Sequence, residues 1–324
     1  MENKKQQNPF VSVVVTCYQD EGNIAEMHRR LTKVLTSANI DYEIIFVNDG
    51  SPDNSEAVLR EIASRNQKVT VILQARNFGA QNAFTAGMEQ ALGQTVVIMD
   101  GDLQDPPELI PEFIKKWRKG YEVVYGIRRK REKSMGELKS WIYHMFYVVF
   151  NKISYMQVPE DAGEFSLMDR RVVETINAMP ERDRLLRGLR AWVGFKQIGV
   201  KYERPERFWG KSTNSLVAST KWARKAIFSF SYAPMELVSR ISFLVMFLAF
   251  AAIVIYVISY LTKGAPAGFT TLLMVVLFLG AIQLLALAII GEYLARVFEE
   301  TKQRPRYVTK EILNDHRAHD KHSR

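Results

Sequence analysis

The sequence predicts an α/β domain built on a mainly parallel sheet, followed by two membrane-spanning helices. Three observations carry that prediction. Short apolar, β-rich runs alternate with stretches of helical period as far as Arg128, polar motifs recur where those runs stop, and two long uncharged segments lie near the C-terminus. The runs are Val11 to Val15, Glu43 to Val47, Thr70 to Leu73, Thr95 to Met99 and Glu122 to Tyr125. Helical periodicity between them is clearest at Ile24 to Leu35 and Glu56 to Ala63. Strand-helix alternation of this kind gives a doubly wound sheet covered on both faces, with ligands bound beyond the carboxyl ends of its strands.

Four polar motifs sit at those ends: Thr16-Cys17-Tyr18, Asn48-Asp49-Gly50-Ser51, Arg76-Asn77-Phe78-Gly79 and Asp100-Gly101-Asp102. One could be a turn, but four on one edge imply a pocket. The last continues to Leu103-Gln104-Asp105, and its two leading carboxylates emerge together from a buried strand, spaced to grip one divalent cation. By itself an Asp-x-Asp is also consistent with a solvated turn. Likewise, Asp49-Gly50-Ser51-Pro52-Asp53 reads equally as a turn capping the next helix.

After Arg128 the texture changes. Residues 137–156 carry a broad apolar face, read as an interfacial helix or, level with it, a core helix. Residues 215–235 read as a juxtamembrane amphipathic helix, with Lys221, Arg224 and Lys225 on one face. The run Ile241 to Leu261 has 21 uncharged residues, about 31 Å as a helix and enough to cross a hydrocarbon core. A second span runs from Phe269 to Gly291. The organisation expected is therefore a domain over 1–214, the amphipathic helix, two spans within 236–292 (about 237–261 and 269–292), and a basic tail over 293–324 that frays from Lys310.

The loop between the spans carries one charge, whereas Lys221, Arg224, Lys225 and Arg240 precede them and Arg296, Lys302, Arg304 and Arg306 follow. That asymmetry places both flanks in the cytoplasm, at the inner or plasma membrane. A net charge of +9 then fits anionic lipid headgroups, and no motif for nucleic acid appears. Residues 1–9 lack the apolar core of a signal peptide, so the leading domain is expected to stay on the synthesis side. The single cysteine, Cys17, excludes internal disulfides and reads as a small buried hydrophobe.

Strand, Asp-Gly-Ser turn, Arg-Asn-x-Gly turn and Asp-x-Asp, in that order, resemble the nucleotide-sugar domain of the family 2 glycosyltransferases, which has the GT-A fold. Asp161-Ala162-Gly163-Glu164-Phe165, Met168-Asp169-Arg170, Arg207-Phe208-Trp209-Gly210-Lys211-Ser212 and the two spans resemble the polyisoprenyl-phosphate subgroup. That subgroup includes dolichol-phosphate mannose synthase and the bacterial bactoprenol glucosyltransferases. Asn48 stands where many relatives have Asp, and Ala80-Gln81 where relatives often have a basic residue. The subgroup motif here ends Lys211-Ser212-Thr213 and not in a Ser-Lys pair.

The resemblance implies that Thr16, Tyr18 and Asp49 line a nucleoside pocket with Glu21 nearby. It implies that Asp100 and Asp102, joined by Gln104, hold Mg²⁺ or Mn²⁺ on the donor's diphosphate, with Gly101 between them against the substrate. Arg207, Lys211 and Ser212 fall in a phosphate-contacting motif, though a basic loop beside lipid reads nearly as well. Arg128, with Lys139 as a weaker candidate, is implied to receive the acceptor's phosphate. Asp161 is implied as catalytic base beside Asp102, with Glu164 the neighbouring alternative. A phosphate monoester has a second pKa of about 6, so the acceptor hardly needs a base and Asp161 could instead orient it.

The implied function is transfer of a sugar, glucose from UDP-glucose by resemblance, to polyprenyl (undecaprenyl) phosphate with inversion, by a homo-oligomer, possibly a tetramer. Two rivals stand beside it. A processive polysaccharide synthase would need more spans and a Gln-x-x-Arg-Trp motif, which Arg187-Gly188-Leu189-Arg190-Ala191-Trp192 misses by one residue. A non-enzymatic membrane scaffold that keeps a nucleotide pocket is the other.

Overall fold

The computed structural model describes residues 9–128, 145, 152–154, 162–205, 227–228, 231–263 and 268–317. These fall into two compact units, one holding the sheet and the chain from Arg304 onward, the other holding two long helices. In the first unit the order is β1 (Val11–Cys17), α1 (Glu21–Ser37), β2 (Tyr42–Asn48), α2 (Ser55–Arg65), β3 (Val69–Gln74), α3 (Ala80–Gln90) and β4 (Thr95–Asp100). A short 3₁₀ turn at Pro107–Leu109, α4 (Ile110–Trp117), β5 (Val123–Arg128) and β6 (Ala162–Asp169) follow, then α5 (Arg170–Ala178), α6 (Leu186–Trp192) and β7 (Gln197–Tyr202). The second unit holds α7 (Ala233–Lys263) and α8 (Phe269–Lys302), after which β8 (Thr309–Leu313) rejoins the first.

Every apolar run that the sequence marked as a strand lies in one. The eight strands form one sheet in the order β7-β5-β6-β4-β1-β2-β3-β8. Four of its seven neighbour pairs are parallel (β1 with β2 and β4, β2 with β3, β5 with β7) and three antiparallel. Residues of β1, β2 and β3 are buried along their whole length, as expected of central parallel strands covered on both faces. Helix α1 buries Ile24, Met27, Leu31 and Leu35, one stripe at three- and four-residue spacing that covers the sheet.

The reversal of strand order around β1 matters for function. Beta4 lies on one side of β1 and β2 on the other, so the crevice beyond their carboxyl ends opens between the Asp100 motif and the Asn48 motif. Beta6 enters antiparallel to β4, with Ile98 opposite Ser166 and Thr95 opposite Asp169. Its first residues therefore sit at the same edge.

The expected fraying tail is corrected. Thr309–Leu313 is the sheet's last strand, antiparallel to β3. Beta3 would otherwise present an unpaired edge. Side chains also hold the segment: Arg60 lies 2.5 Å from Glu311, and the Asn314 amide donates to Val69 O at 2.9 Å and Ala63 O at 2.8 Å. Local composition could not show this, because what orders the segment is partners more than 200 residues away.

Helices α7 and α8 have 31 and 34 residues, about 46 and 51 Å at the α-helical rise. Both are long and apolar enough to cross a membrane, over Ala233–Ser259 and Phe278–Lys302, so both expected spans fall on helix. Their large side chains, such as Phe243, Phe247, Leu284 and Leu287, are exposed. Of residues 137–156 only 145 and 152–154 are described, and of 215–235 only 227–228 and 231–235; Asp161, Lys139, Arg207, Lys211 and Ser212 lie outside the described residues.

Candidate active site

The four strand-end motifs are tied to one another by hydrogen bonds. The Gly101 N–H donates to Thr16 O at 2.9 Å, linking the ends of β4 and β1, and the Asp49 N–H donates to Cys17 O at 3.1 Å, linking β2 to β1. Gln19 N–H donates to Ser51 Oγ at 2.8 Å. Asp49 Oδ1 accepts from Phe78 N–H at 2.7 Å and Oδ2 from Gly79 N–H at 2.9 Å. Asp49 therefore braces the Arg-Asn-x-Gly turn with both oxygens, leaving only its remaining lone pairs for a ribose or base. It is buried, and its carboxyl is pushed up by that burial against the two N–H groups that favour the anion.

Gly50 has φ +59°, and a Cβ there would come within 2.3 Å of the Arg76 backbone. Only glycine permits both the left-handed turn and the contact. Asn48 Oδ1 accepts from Ser51 N–H at 2.9 Å, a task that Asp would do equally well, so the departure at this position leaves the turn intact.

Glu21, expected near the nucleoside, bridges the starts of two helices. Its carboxylate accepts from Asn54 N–H at 2.9 Å while its own N–H donates to Asp53 at 3.2 Å, so it cross-caps the starts of α1 and α2. Ser51 and Ser55 also donate to Asp53, and those bonds hold its carboxyl below the usual range. The helix-cap reading of this turn is thus correct for Asp53. Thr16 is buried and Tyr18 is exposed at the mouth, where a ring can offer a stacking face. Cys17 is buried, and its thiol is raised well above its usual pKa by desolvation and by Asp20 and Asp53.

Around Asp100 the structure gathers more charge than the sequence indicated. Asp105 is fully buried and receives a hydrogen bond from the Tyr202 hydroxyl, and its Oδ1 lies 3.8 Å from Arg128 Nη2. Arg128 Nε donates to the same hydroxyl at 3.3 Å, and the guanidinium packs so close to Gly163 that a Cβ there would meet it at 2.8 Å. Arg204 Nη2 lies 3.6 Å from Asp102 Oδ2. Arg128 is thus tied into the acidic cluster, with 13% of its side chain exposed. Asp105, Tyr202 and Arg204 were missed by sequence reasoning. The recurrence of Asp at 100, 102 and 105 was a visible signal for the first, whereas Tyr202 and Arg204 arrive only because β7 pairs with β5.

Burial, then Asp105, then Asp102 push the Asp100 carboxyl up to about 7, with Arg128 acting in the opposite sense. Buried carboxylates so arranged favour uptake of a cation. Gln104 gives its amide N–H to Pro205 O at 3.3 Å, which leaves its oxygen available to ligate. Among the described residues no three acidic, His or Cys ligands close a cage. The Asp100 and Asp102 carboxylates and the Gln104 oxygen are hard oxygen donors, the kind that suits a divalent cation whose shell substrate oxygens complete. Leu103, buried in the core with φ +59°, anchors the loop between these ligands.

A protein-family model described as glycosyl transferase family 2 matches residues 12–176. The chain belongs to the family 2 glycosyltransferases. Its mostly parallel α/β sheet is GT-A-like. An uncharacterized glycosyltransferase of Synechocystis sp. is 39% identical over 305 residues, covering 93% of this chain and 95% of the relative. The prophage bactoprenol glucosyl transferase homolog of Escherichia coli is 35% identical over 303 residues, covering 93% and 99%. The bactoprenol glucosyl transferase of Shigella phage SfV is 36% identical over 301 residues, covering 93% and 98%. Among solved structures, glucosyl-3-phosphoglycerate synthase from Mycobacterium tuberculosis, crystallised with Mn²⁺, UDP-glucose and phosphoglyceric acid, superposes with TM-score 0.44. That enzyme is 19% identical, over 68% of this chain and 78% of its own.

Proposed function

We propose that this glycosyltransferase moves glucose from UDP-glucose to undecaprenyl phosphate, with inversion and with a divalent cation, at the cytoplasmic face of the inner membrane. The observation that carries the reading is near end-to-end similarity, 35–36% identical, to proteins named bactoprenol glucosyl transferases. Such coverage takes in the segment that carries both apolar helices as well as the catalytic sheet. A lipid acceptor keeps its phosphate at the bilayer surface, which gives a catalytic domain a reason to be anchored there. The chain leaves the sheet-bearing unit, runs through two span-length helices and returns to that unit as β8. An even number of crossings supports both flanks lying on one side, and the flanking basic residues make that side the cytoplasm.

In this reading Tyr18 and the Asp49-braced turn receive the nucleoside. Asp100 and Asp102, with the Gln104 oxygen, hold the cation. When bound, the cation offsets the charge that builds on the departing diphosphate. Arg207, Lys211 and Ser212 are assigned to the same phosphates, and Arg128, kept charged by Asp105 and Asp100, is assigned to the acceptor's phosphate, with Lys139 as the weaker candidate. Glu164 lies near the start of β6, and Asp161 precedes that strand in the sequence. Because the acceptor is mostly dianionic at neutral pH, they serve better to orient than to deprotonate.

The test is product analysis of the full chain, purified in lipid nanodiscs and given nucleotide sugars with short polyprenyl phosphates. A lipid-linked monosaccharide formed from UDP-glucose, lost on chelation and restored by Mn²⁺ or Mg²⁺, is the expected result. A polymer, or no transfer from any donor, refutes the proposal. Elution of the active species as a homo-oligomer, a tetramer in this proposal, is checked by mass in the same nanodiscs.

A further inference from the structure

Gln81 stands in the first turn of α3, directly after the turn that Asp49 braces, and its amide is shared between two other elements. Its Oε1 accepts from the Leu186 N–H of α6 at 2.7 Å, and its Nε2 donates to Glu164 Oε1 of β6 at 3.2 Å. The backbone N–H fixes the amide's direction. Turned over, the NH₂ would oppose another donor and the carbonyl oxygen would face a carboxylate.

Glu164 is held by that one oxygen. Arg187 Nε lies 3.4 Å from the same Oε1, and Arg190, fully buried on the next turn of α6, donates to Gly163 O at 3.3 Å, fixing the backbone beside it. The other oxygen, Oε2, is buried and among the described residues has no hydrogen-bond partner. Leaving a buried carboxylate oxygen unbonded is costly, so native structures keep few such atoms without a use.

The sheet register says where that oxygen is. Ile98 of β4 faces Ser166 of β6, so two residues further along these antiparallel strands Asp100 comes level with Glu164. Glu164 is also among the charges that raise Asp100. A sugar attached to a diphosphate at Asp100 and Asp102 lies against this edge.

We infer that Gln81 is a positioning residue: it holds Glu164 by one carboxylate oxygen so that the other accepts a hydrogen bond from a hydroxyl group of the donor's sugar. The inference rests on the proposed function and names a determinant of sugar binding in that site.

The experiment uses the full chain in nanodiscs. Gln81→Glu keeps the length and the acceptor for Leu186 N–H but turns the donor facing Glu164 into a second carboxylate. Gln81→Met removes both arms. Each is measured alone and in a Glu164→Gln background, for transfer kinetics, for melting temperature, and for calorimetric affinity towards UDP-glucose and towards UDP. Gln81→Glu should lower kcat/KM at least tenfold, with UDP affinity and melting unchanged, and should cost less than twofold in the Glu164→Gln background, as for two residues acting as one unit. A parent-like Gln81→Glu overturns the inference, and so does a loss undiminished by Glu164→Gln. Early melting with lost UDP binding in both Gln81 variants also overturns it, since the amide is then a structural tie alone. If the parent transfers sugar to no polyprenyl phosphate, the functional proposal fails, while binding still decides the role of Gln81. Tighter binding of UDP-glucose than of UDP, erased by Gln81→Glu, supports it; an increment that survives, or a parent without one, refutes it.

Discussion

Replacing Asp49 tests whether the pocket is held together by the acceptor that ties two of its walls. In Asp49→Ala the N–H groups of Phe78 and Gly79 lose their carboxylate acceptor, at 2.7 and 2.9 Å, and Gly79 keeps the Asn77 Oδ1 at 3.1 Å. Hydrogen bonds to a charged group contribute about 1.5–3 kcal/mol each, so the pair is worth roughly 3–6 kcal/mol before any offset. The offset is relief of a buried charge, since burial raises the Asp49 carboxyl despite both bonds. A net loss of about 2–4 kcal/mol remains, or roughly 4–16 °C for a catalytic unit of this size at about 2–4 °C per kcal/mol.

The sign with pH follows from the raised pKa. The folded state binds the Asp49 proton more tightly than the unfolded chain does. The stability this contributes is full below the ordinary value of 3.8 and is lost as pH rises through the raised folded value. The gap in melting temperature between parent and Asp49→Asn should therefore be wider at pH 4 than at pH 7. Thermal scanning of the full chain in nanodiscs, with UDP binding followed in parallel, reads both effects. If Asp49→Ala melts within 1 °C of the parent (the resolution of about one scan), or the gap to Asp49→Asn widens toward neutral pH, the bracing argument is wrong.

Three further outcomes follow from other parts of the molecule. Asp102→Ala should abolish chelator-sensitive transfer while the chain still folds and inserts, because Asp102, though buried beside Arg204, is not part of the apolar core; activity assay and gel filtration check this. Cys17, buried with a raised thiol pKa, should resist maleimide at pH 7 in the folded protein and react only on unfolding, which mass spectrometry follows. Ending the chain at Gln303 should lower the melting temperature of the catalytic unit by at least several degrees, since it unpairs β3 and removes the contacts of Arg60 and Asn314; an unchanged melt would show that β8 is dispensable.

The sequence by itself determined the strand-helix alternation, the two span-length helices and the placing of four polar motifs at one sheet edge. Each of these is encoded locally, in runs whose period and length have one physical solution. It also singled out Asp100 and Asp102 as a candidate pair, because Asp100 ends a buried strand and Asp102 follows two residues later. Tertiary structure alone decided what those groups touch. Asp49 reaches the turn after β3, Glu21 caps a neighbouring helix, Tyr202 and Arg204 join the acidic cluster from β7, and Gln81 meets Glu164 through an antiparallel strand 83 residues away. The tail from Lys310 looks solvent-exposed as a string of residues, yet it completes the sheet. Hydrogen bonds and ion pairs between distant segments depend on strand order and register, and no local pattern of residues carries that information.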